Sequence, residues 1–352
     1  MSGRLRLWSG YVLFIYVVTH LLNHALGLIS LRVLEEGRGW FVQVWHNPIG
    51  QIVLYGALFT HFALALWSLY RRRALRLSHW EWAQWILGAS IVPLGMVHVV
   101  GTRLAHGLYG VEPGYPWVLG SLVVGGWDSI ARQFALPLVV WVHACIGLHF
   151  AWRLKPWYRD WLPYLYAGAL LVPVAGIAGA AIALRDVADM AQRPGVLDAL
   201  FERVNAPTRE QVHNLYMISY TLQGVALALL VAMFAARPLR DLWERRAGVV
   251  RLDYGERRSV AEPAGFTILE ISRIAGIPHA SVCGGRGRCS TCRVRISGPD
   301  RDKVPAAAPE EAKVLARIGA PPHVRLACQV RPPPGHYSVT PLLPATAGPG
   351  EA

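Results

Sequence analysis

The sequence predicts an all-α bundle of six membrane-spanning helices followed by a soluble α+β domain. Six charge-free windows are each long enough to cross a bilayer, which takes about 20 helical residues. Arginines gather in alternate connections between those windows. From about residue 248 onward the pattern changes to short β-like runs separated by turns. Composition agrees, since 53% of the 352 residues are hydrophobic and only 16% are charged.

The windows are residues 7–31, 48–70, 82–102, 133–152, 161–184 and 211–236. Arg4 and Arg6 precede the first. Arg71, Arg72, Arg73 and Arg76 lie between the second and third, Arg153, Lys155 and Arg159 between the fourth and fifth, and Arg237, Arg240, Arg245 and Arg246 after the sixth. The other connections carry Glu35, Glu36, Glu112, Asp128 and the acidic segment 186–210. Positively charged loops stay on the cytoplasmic side, so both termini and the soluble domain are expected there. Trp8, Trp45, Trp67, Trp80, Trp82, Trp152, Trp157 and Trp161 lie near window ends, where amphipathic rings settle at the headgroups. The first window is too long for the apolar part of a secretory leader, and a retained helix is expected. The net charge of +13 is distributed among these short clusters, which argues against a nucleic-acid partner.

Residues 107–132 are rich in Gly and Pro and are expected to be irregular. The amphipathic stretch 196–204 is expected to lie flat on the outer surface. The domains read as a bundle over 1–237, a basic linker over 238–248, a soluble domain over 249–345 and a Pro/Gly/Ala tail over 346–352. Within the soluble domain, strands are expected at 249–254, 292–296 and 324–328, and helices at 267–275 and 309–318.

Four of the five cysteines fall in the soluble domain. Three form the run Cys283-Gly-Gly-Arg-Gly-Arg-Cys289-Ser-Thr-Cys292, and Cys328 lies downstream. The spacing suits a [2Fe–2S] cluster, in which each iron takes two protein thiolates and two bridging sulfides. Gly284, Gly285 and Gly287 let the backbone turn tightly enough to aim N–H groups at the sulfurs. A structural zinc site usually pairs two C-x2-C knuckles, whereas here one loop supplies three thiols. Disulfide pairing would need an oxidising compartment. The motif resembles the plant- and adrenodoxin-type ferredoxins over roughly 249–344. The C-x5-C spacing and Leu326-Ala327-Cys328-Gln329-Val330 lie nearer the adrenodoxin side. That resemblance implies a β-grasp fold and one cluster on Cys283, Cys289, Cys292 and Cys328. Arg286, Arg288, Arg293, Arg295 and Arg325 stand around the motif. They are expected to favour the reduced cluster and raise its potential, to meet an acidic partner or anionic headgroups, or simply to be solvated.

Seven histidines, His20, His24, His61, His98, His106, His143 and His149, lie in or at the first four windows. A histidine in hydrocarbon is costly without a partner. Each alone reads equally as a hydrogen-bonded core residue. Four helices that each offer one read as a b-type haem bundle, with two neutral imidazoles per iron. No C-x-x-C-H is present, which argues against covalent c-type haem. At about 1.5 Å per residue from the nearest cytoplasmic charge, His61 and His143 stand about 15 Å up, His20 about 21 Å and His98 about 25 Å. The heights pair His20 with His98 as an outer site and His61 with His143 as an inner one.

The patterns His20-Leu-Leu-Asn23-His24, His98-Val-Val-Gly-Thr102-Arg103 and His143-Ala-Cys-Ile-Gly147-Leu148 resemble the di-haem cytochrome b anchors of succinate:quinone oxidoreductases, over about 6–157. The resemblance implies that His20, His98, His143 and a second-span histidine, here His61, ligate two haems b. Those anchors usually have five spans and no fused ferredoxin. His24 shares a helix face with His20 and is an alternative ligand, while His106 and His149 lie near the outer and inner interfaces. Cys145 is expected to be a small core residue. His24, Arg103, His106 and Gln133 are expected to converge as a quinone site at the outer interface, the alternative being polar side chains that snorkel to the headgroups.

Six such spans followed by a ferredoxin resemble the membrane module of the redox-sensing class III adenylate cyclases of proteobacteria, which implies a bacterial inner membrane. The resemblances together imply electron transfer among the quinone pool, two haems b, the cluster and a cytoplasmic partner. Two alternatives are a redox-sensing module that regulates a separate adenylate cyclase and an anchor for a flavoprotein dehydrogenase. No Gly-rich dinucleotide fingerprint or cyclase domain is present, so flavin, nicotinamide or cyclase chemistry is expected in another chain.

Overall fold

The computed structural model describes residues 2–72, 77–246, 248–255 and 258–351. Arg73 and Arg76 of the charge pattern, Ala247 of the expected linker and Ala352 of the expected tail lie outside the described residues. The backbone divides into two compact units. One comprises Met1–Trp67, Leu77–Ala151 and Trp157–Leu230, and the other Ser68–Arg76, Trp152–Pro156 and Val231–Ala352. The helices are α1 (Ser2–Ala25), α2 (Leu31–Trp45), α3 (Pro48–Arg71), α4 (His79–Val99), α5 (Ala105–Tyr109), α6 (Tyr115–Trp152), α7 (Tyr158–Ala191), α8 (Val196–Arg203) and α9 (Arg209–Arg245).

Six helical segments are long and apolar enough to cross a membrane: Gly3–Leu28, Pro48–Arg71, His79–Tyr109, Tyr115–Trp152, Tyr158–Ala191 and Arg209–Glu244. They fall at the six expected places. Between α1 and α7 the backbones nearly touch. A Cβ on Gly179 would stand 2.2 Å from the His24 carbonyl oxygen, and one on Gly176 2.8 Å from that of Leu21. Lipid tails are as apolar as leucine, so close backbone packing at small residues is what holds such helices together. Here it fixes the helix that carries His20 and His24. After α4 the chain passes through a π-helical stretch, Val100–Leu104, directly beyond His98. A stretch of this kind widens the helix and re-aims the side chains on either side.

The connections depart from expectation. Residues 107–132 are largely helical, because α6 begins at Tyr115 and breaks only at Gly126 (φ 68°, ψ −163°). Pro116 falls in the first turn, where its missing N–H is harmless. Residues 31–45, read as a plain connection, form α2, with the Ser30 hydroxyl accepting the Val33 N–H at its start and Leu34 and Trp45 buried. Trp45 donates to the Thr19 hydroxyl at 3.1 Å and so is no belt residue, whereas Trp8, Trp67, Trp80, Trp82, Trp157 and Trp161 are exposed. The amphipathic stretch forms α8, whose Phe201 ring lies 6.0 Å from that of Trp117.

In the second unit, the expected linker is helical as far as Arg245, with Pro238 inside α9. Arg237 donates to the Arg72 carbonyl at 2.7 Å. Arg240 donates to the Tyr70 carbonyl, and its guanidinium lies 4.9 Å from the Tyr70 ring. The last carbonyls of a helix have no internal donors and carry its negative end. These arginines therefore cap α3 as well as setting charge asymmetry.

The sheet runs β2-β1-β5-β3-β4. β1 (Val249–Asp253) is antiparallel to β2 (Ser259–Pro263) and parallel to β5 (Gly335–Pro341). β3 (Arg293–Ser297) is antiparallel to both β5 and β4 (Val324–Leu326). With α10 (Ile268–Ile274) and α11 (Pro309–Arg317) this is a mixed-sheet α+β domain of the expected class. β2 and β5 are additions to the expected strands. The first is polar and ends in Pro263, and the second shows its alternation only at Tyr337 and Val339. The 346–351 segment is not a free tail: Ala347 is buried, and Arg293 donates to the Glu351 carbonyl at 3.2 Å. Arg325 leaves the expected arginine surface altogether. It forks onto Glu311 at 2.9 and 2.7 Å, and Glu311 also accepts the Leu326 N–H at 2.9 Å.

Glu311→Gln should destabilise the soluble domain by about 3 kcal/mol, since breaking a buried pair strands the remaining charge. Calorimetry of the detergent-solubilised chain would show that domain's transition moving down. Gly179→Leu should lower the bundle's melting temperature, whereas Gly224→Leu should leave it in place, since a Cβ on Gly224 would meet nothing within 4 Å.

Candidate cofactor sites

The cluster loop runs from the end of α10 to the start of β3. α10 is tied to the far segment at its first turn, where Ile268 N donates to Val330 O at 3.1 Å and Leu269 N to Ala327 O at 2.9 Å. The Arg293↔Leu326 pairing of β3 with β4, continued by Ala327 N to Cys292 O at 3.0 Å, brings Cys328 against Cys292. All four thiols are buried. They stand as two pairs. The Cys292 and Cys328 sulfurs lie 3.4 Å apart, and Cys289 Sγ accepts the Cys283 N–H at 3.4 Å.

Gly284, Gly285 and Gly287 take φ values of 68°, 84° and 63°, a left-handed run that folds the loop round its own sulfurs. A Cβ on Gly287 would stand 2.8 Å from the Gln329 amide, which itself donates to Cys328 Sγ at 3.3 Å. The Thr291 hydroxyl lies 3.1 Å from Cys289 Sγ. Cys283 is held down to about 4, first by the Cys289 side chain and then by the backbone N–H groups of Cys289, Arg288 and Arg286. Cys289 and Cys292 are pushed up, chiefly by their partners Cys283 and Cys328 and then by burial. Each pair thus resists losing its second proton until a metal replaces it, as thiolate ligation requires. Two pairs of thiols with N–H donors around them suit two irons better than one zinc.

The arginines near the loop serve several roles. Arg286 donates to the Cys283 carbonyl at 3.1 Å, Arg293 to the Ser290 hydroxyl at 3.0 Å, and Arg317 to the Arg288 carbonyl at 3.3 Å. Arg295 is exposed.

In the bundle histidine rings from different helices also approach one another edge-on. The centres of His20 and His98 are 6.2 Å apart, and those of His61 and His143 are 6.3 Å apart. Metal–nitrogen bonds of about 2 Å on both sides, plus half of each ring, span about 6 Å. His61 Nδ1 lies 3.1 Å from the Arg6 carbonyl and His143 Nδ1 3.1 Å from the Gln84 carbonyl, whereas the Gln133 amide nitrogen lies 3.1 Å from His98 Nδ1 and donates to it. A metal-bound imidazole typically donates its second N–H to an acceptor such as a carbonyl, as His61 and His143 are placed to do. The Gln84 amide nitrogen also approaches His143 Nε2, at 3.4 Å. Cβ atoms on Gly10 and Gly88 would stand 3.2 and 2.9 Å from the His61 and His143 rings, so both glycines make room for them. His20 stacks on Tyr16, and its buried Nδ1 has no hydrogen-bond partner among the described residues.

The four residues expected to form a quinone site each have a separate partner. His24 packs 4.5 Å from His20 and 5.5 Å from Tyr115. Arg103 donates to Gln51 at 3.0 Å, His106 Nδ1 lies 2.8 Å from the Val111 carbonyl, and Gln133 sits against His98. His149 Nδ1 lies 2.8 Å from the Tyr158 hydroxyl, and Cys145 is half-buried. Sequence reasoning missed a buried polar group beside His24. Asn23 donates to the Tyr115 hydroxyl at 2.6 Å, and the Tyr115 N–H donates to Glu35 at 3.0 Å. The signal for it in the sequence is Asn23 itself, a polar residue flanked by His20 and His24.

The family described as 2Fe-2S iron-sulfur cluster binding domain matches residues 252–333. The C-terminal domain is a plant/adrenodoxin-type [2Fe–2S] ferredoxin domain. Over 114 residues the chain is 33% identical to the F subunit of the Na(+)-translocating NADH-quinone reductase of Yersinia pestis, covering 32% of this chain and 26% of that protein. The protein of the same name in Neisseria gonorrhoeae is 28% identical over 114 residues, with the same shares of 32% and 26%. The chain thus spans about a quarter of the length of the curated relatives it matches. A reduced putidaredoxin variant from Pseudomonas putida is 28% identical, covering 28% of this chain and 96% of that one, with a TM-score of 0.24.

Gln329→Leu should keep the cluster but make its midpoint potential more negative, because a donor to sulfur stabilises the reduced centre. Redox titration followed by electron paramagnetic resonance (EPR) would measure the shift.

Proposed function

We propose that this chain is a membrane electron-transfer protein that passes electrons between the quinone pool and a cytoplasmic acceptor or donor. The pairing of ligand-type side chains carries the reading. Two imidazole pairs lie in the helical bundle and two thiol pairs in the ferredoxin domain. In this reading Cys283 and Cys289 bind one iron of the [2Fe–2S] cluster, and Cys292 and Cys328 bind the other. His20 and His98 hold one haem b, and His61 and His143 hold a second. Haems and cluster supply one-electron chemistry when bound. The chain's own residues do the rest: Arg6 and Gln84 carbonyls hold imidazole orientation, and glycines make room for the rings. Alternate arginine-rich connections support cytoplasmic termini in a bacterial inner membrane. The matched relatives are named as parts of an NADH-quinone reductase, which supports a quinone as redox partner.

Purified chain should contain two non-covalent haems b and one [2Fe–2S] cluster. His61→Ala or His143→Ala should remove one haem and spare the other, and His20→Ala or His98→Ala should do the reverse. The pyridine haemochrome assay checks this. Zero haem in the unsubstituted chain would return the histidines to hydrogen-bonded core residues.

A further inference from the structure

The peptide unit joining Val282 to Cys283 is engaged at both ends. Its N–H donates to the Cys289 sulfur at 3.4 Å. Its carbonyl accepts from the Arg153 guanidinium. Arg153 directly follows α6 and belongs to the same compact unit as the loop. The next N–H back, that of Val282, donates to the Thr291 hydroxyl at 3.0 Å, and that hydroxyl lies 3.1 Å from the same Cys289 sulfur. Both side-chain and backbone donors at Cys289 are therefore anchored on residues flanking one carbonyl, and that carbonyl is held by a cation.

We propose that Arg153 is a positioning residue that raises the reduction potential of the cluster by polarising the Val282–Cys283 peptide, and that its grip on the loop tightens when the cluster is reduced. The inference rests on the ligand assignment above. A charged donor makes a hydrogen bond roughly twice as strong as a neutral one, and linked hydrogen bonds polarise one another. A guanidinium on the carbonyl therefore strengthens the N–H on the far side of the same amide. Reduction adds one electron to a centre whose formal charge with four thiolates is about −2. Arg153 exchanges no proton in the step, since guanidinium stays cationic. A stronger donor favours the more negative state. By linkage, the free energy that Arg153 contributes to reduction returns as a tighter Arg153 contact in the reduced protein. The α6–α7 turn thus senses the redox state of the loop.

The test uses the full chain in lipid nanodiscs, with dithionite as reductant and EPR as readout. Arg153→Gln should retain iron and acid-labile sulfide. At the wild-type midpoint its reduced-to-oxidised ratio should fall about tenfold, which is about 59 mV for a one-electron couple. Arg153→Lys, which keeps the charge without the fork, should fall between. Hydrogen exchange over 282–291 should slow on reduction in the wild type and not in Arg153→Gln. Midpoints equal to wild type in both variants would overturn the proposal. So would an Arg153→Gln chain without cluster beside an Arg153→Lys chain with the wild-type midpoint, since Arg153 would then be only a strut. A wild-type chain without any [2Fe–2S] signal would instead overturn the ligand assignment itself.

Discussion

No water reaches a side chain in the hydrocarbon core of a bilayer, so every imidazole placed there must be held by protein or by a ligand. Much of the bundle's internal arrangement answers that demand. The Arg6 and Gln84 carbonyls turn toward His61 and His143, and the Gln133 amide turns toward His98. Glycines appear where these rings need space or where their helices must touch. Elsewhere the same constraint joins Trp141 Nε1 to the Ala169 carbonyl at 2.8 Å and the Thr102 hydroxyl to the His98 carbonyl at 2.6 Å. The polar interior is sparse, and backbone groups place most of its members.

The ferredoxin domain meets a related demand by other means. Its thiols are as buried as the surrounding leucines and valines, but between them the loop is made of glycine, arginine, serine and threonine. The left-handed glycines turn amides inward. The arginines are anchored on carbonyls that the loop leaves facing outward, as Arg286 is on Cys283 and Arg317 on Arg288. A loop that aims its N–H groups at sulfur must expose its C=O groups, and guanidiniums are the side chains suited to take several of them.

Signals carried by residue type over a fixed spacing are legible in the sequence. The six spans, the cysteine loop, the helix around Ile271 and the strand around Val294 all belong to that class. What escapes depends on partners far away in the chain. β5 is recognisable only when Tyr337 lies against Leu252 in the register, because its own alternation is two residues long. α2 reads as a connection because its apolar side, with Leu34 and Trp45, is diluted by Arg32, Glu35, Glu36 and Arg38. Residues 115–125 mislead because Gly and Pro count as breakers, although Pro116 sits in the first turn. Arg325 reads as a surface residue from its neighbours, yet Glu311, on another element, draws it inside. The histidine pairing is legible as heights along helices, but the partners of the second nitrogens are not, since backbone carbonyls leave no trace in residue identity.

The order of strands has a consequence for how the domain is made. β5 follows the other four strands in the sequence, yet it is the central one of the sheet, lying between β1 and β3. Until it is synthesised, β1–β2 and β3–β4 are two separate strand pairs, each with an open inner edge able to pair with the wrong strand. Joining them requires closing a loop from β1 to β5, a slow step for a parallel pair. The four thiols do not wait for that closure, because β3–β4 pairing alone brings Cys328 against Cys292 and the other two cysteines lie on the same loop. The four-cysteine site can therefore gather before β5 completes the sheet beneath it. Until β5 arrives, the gathered thiols stand beside the unpaired inner edge of β3.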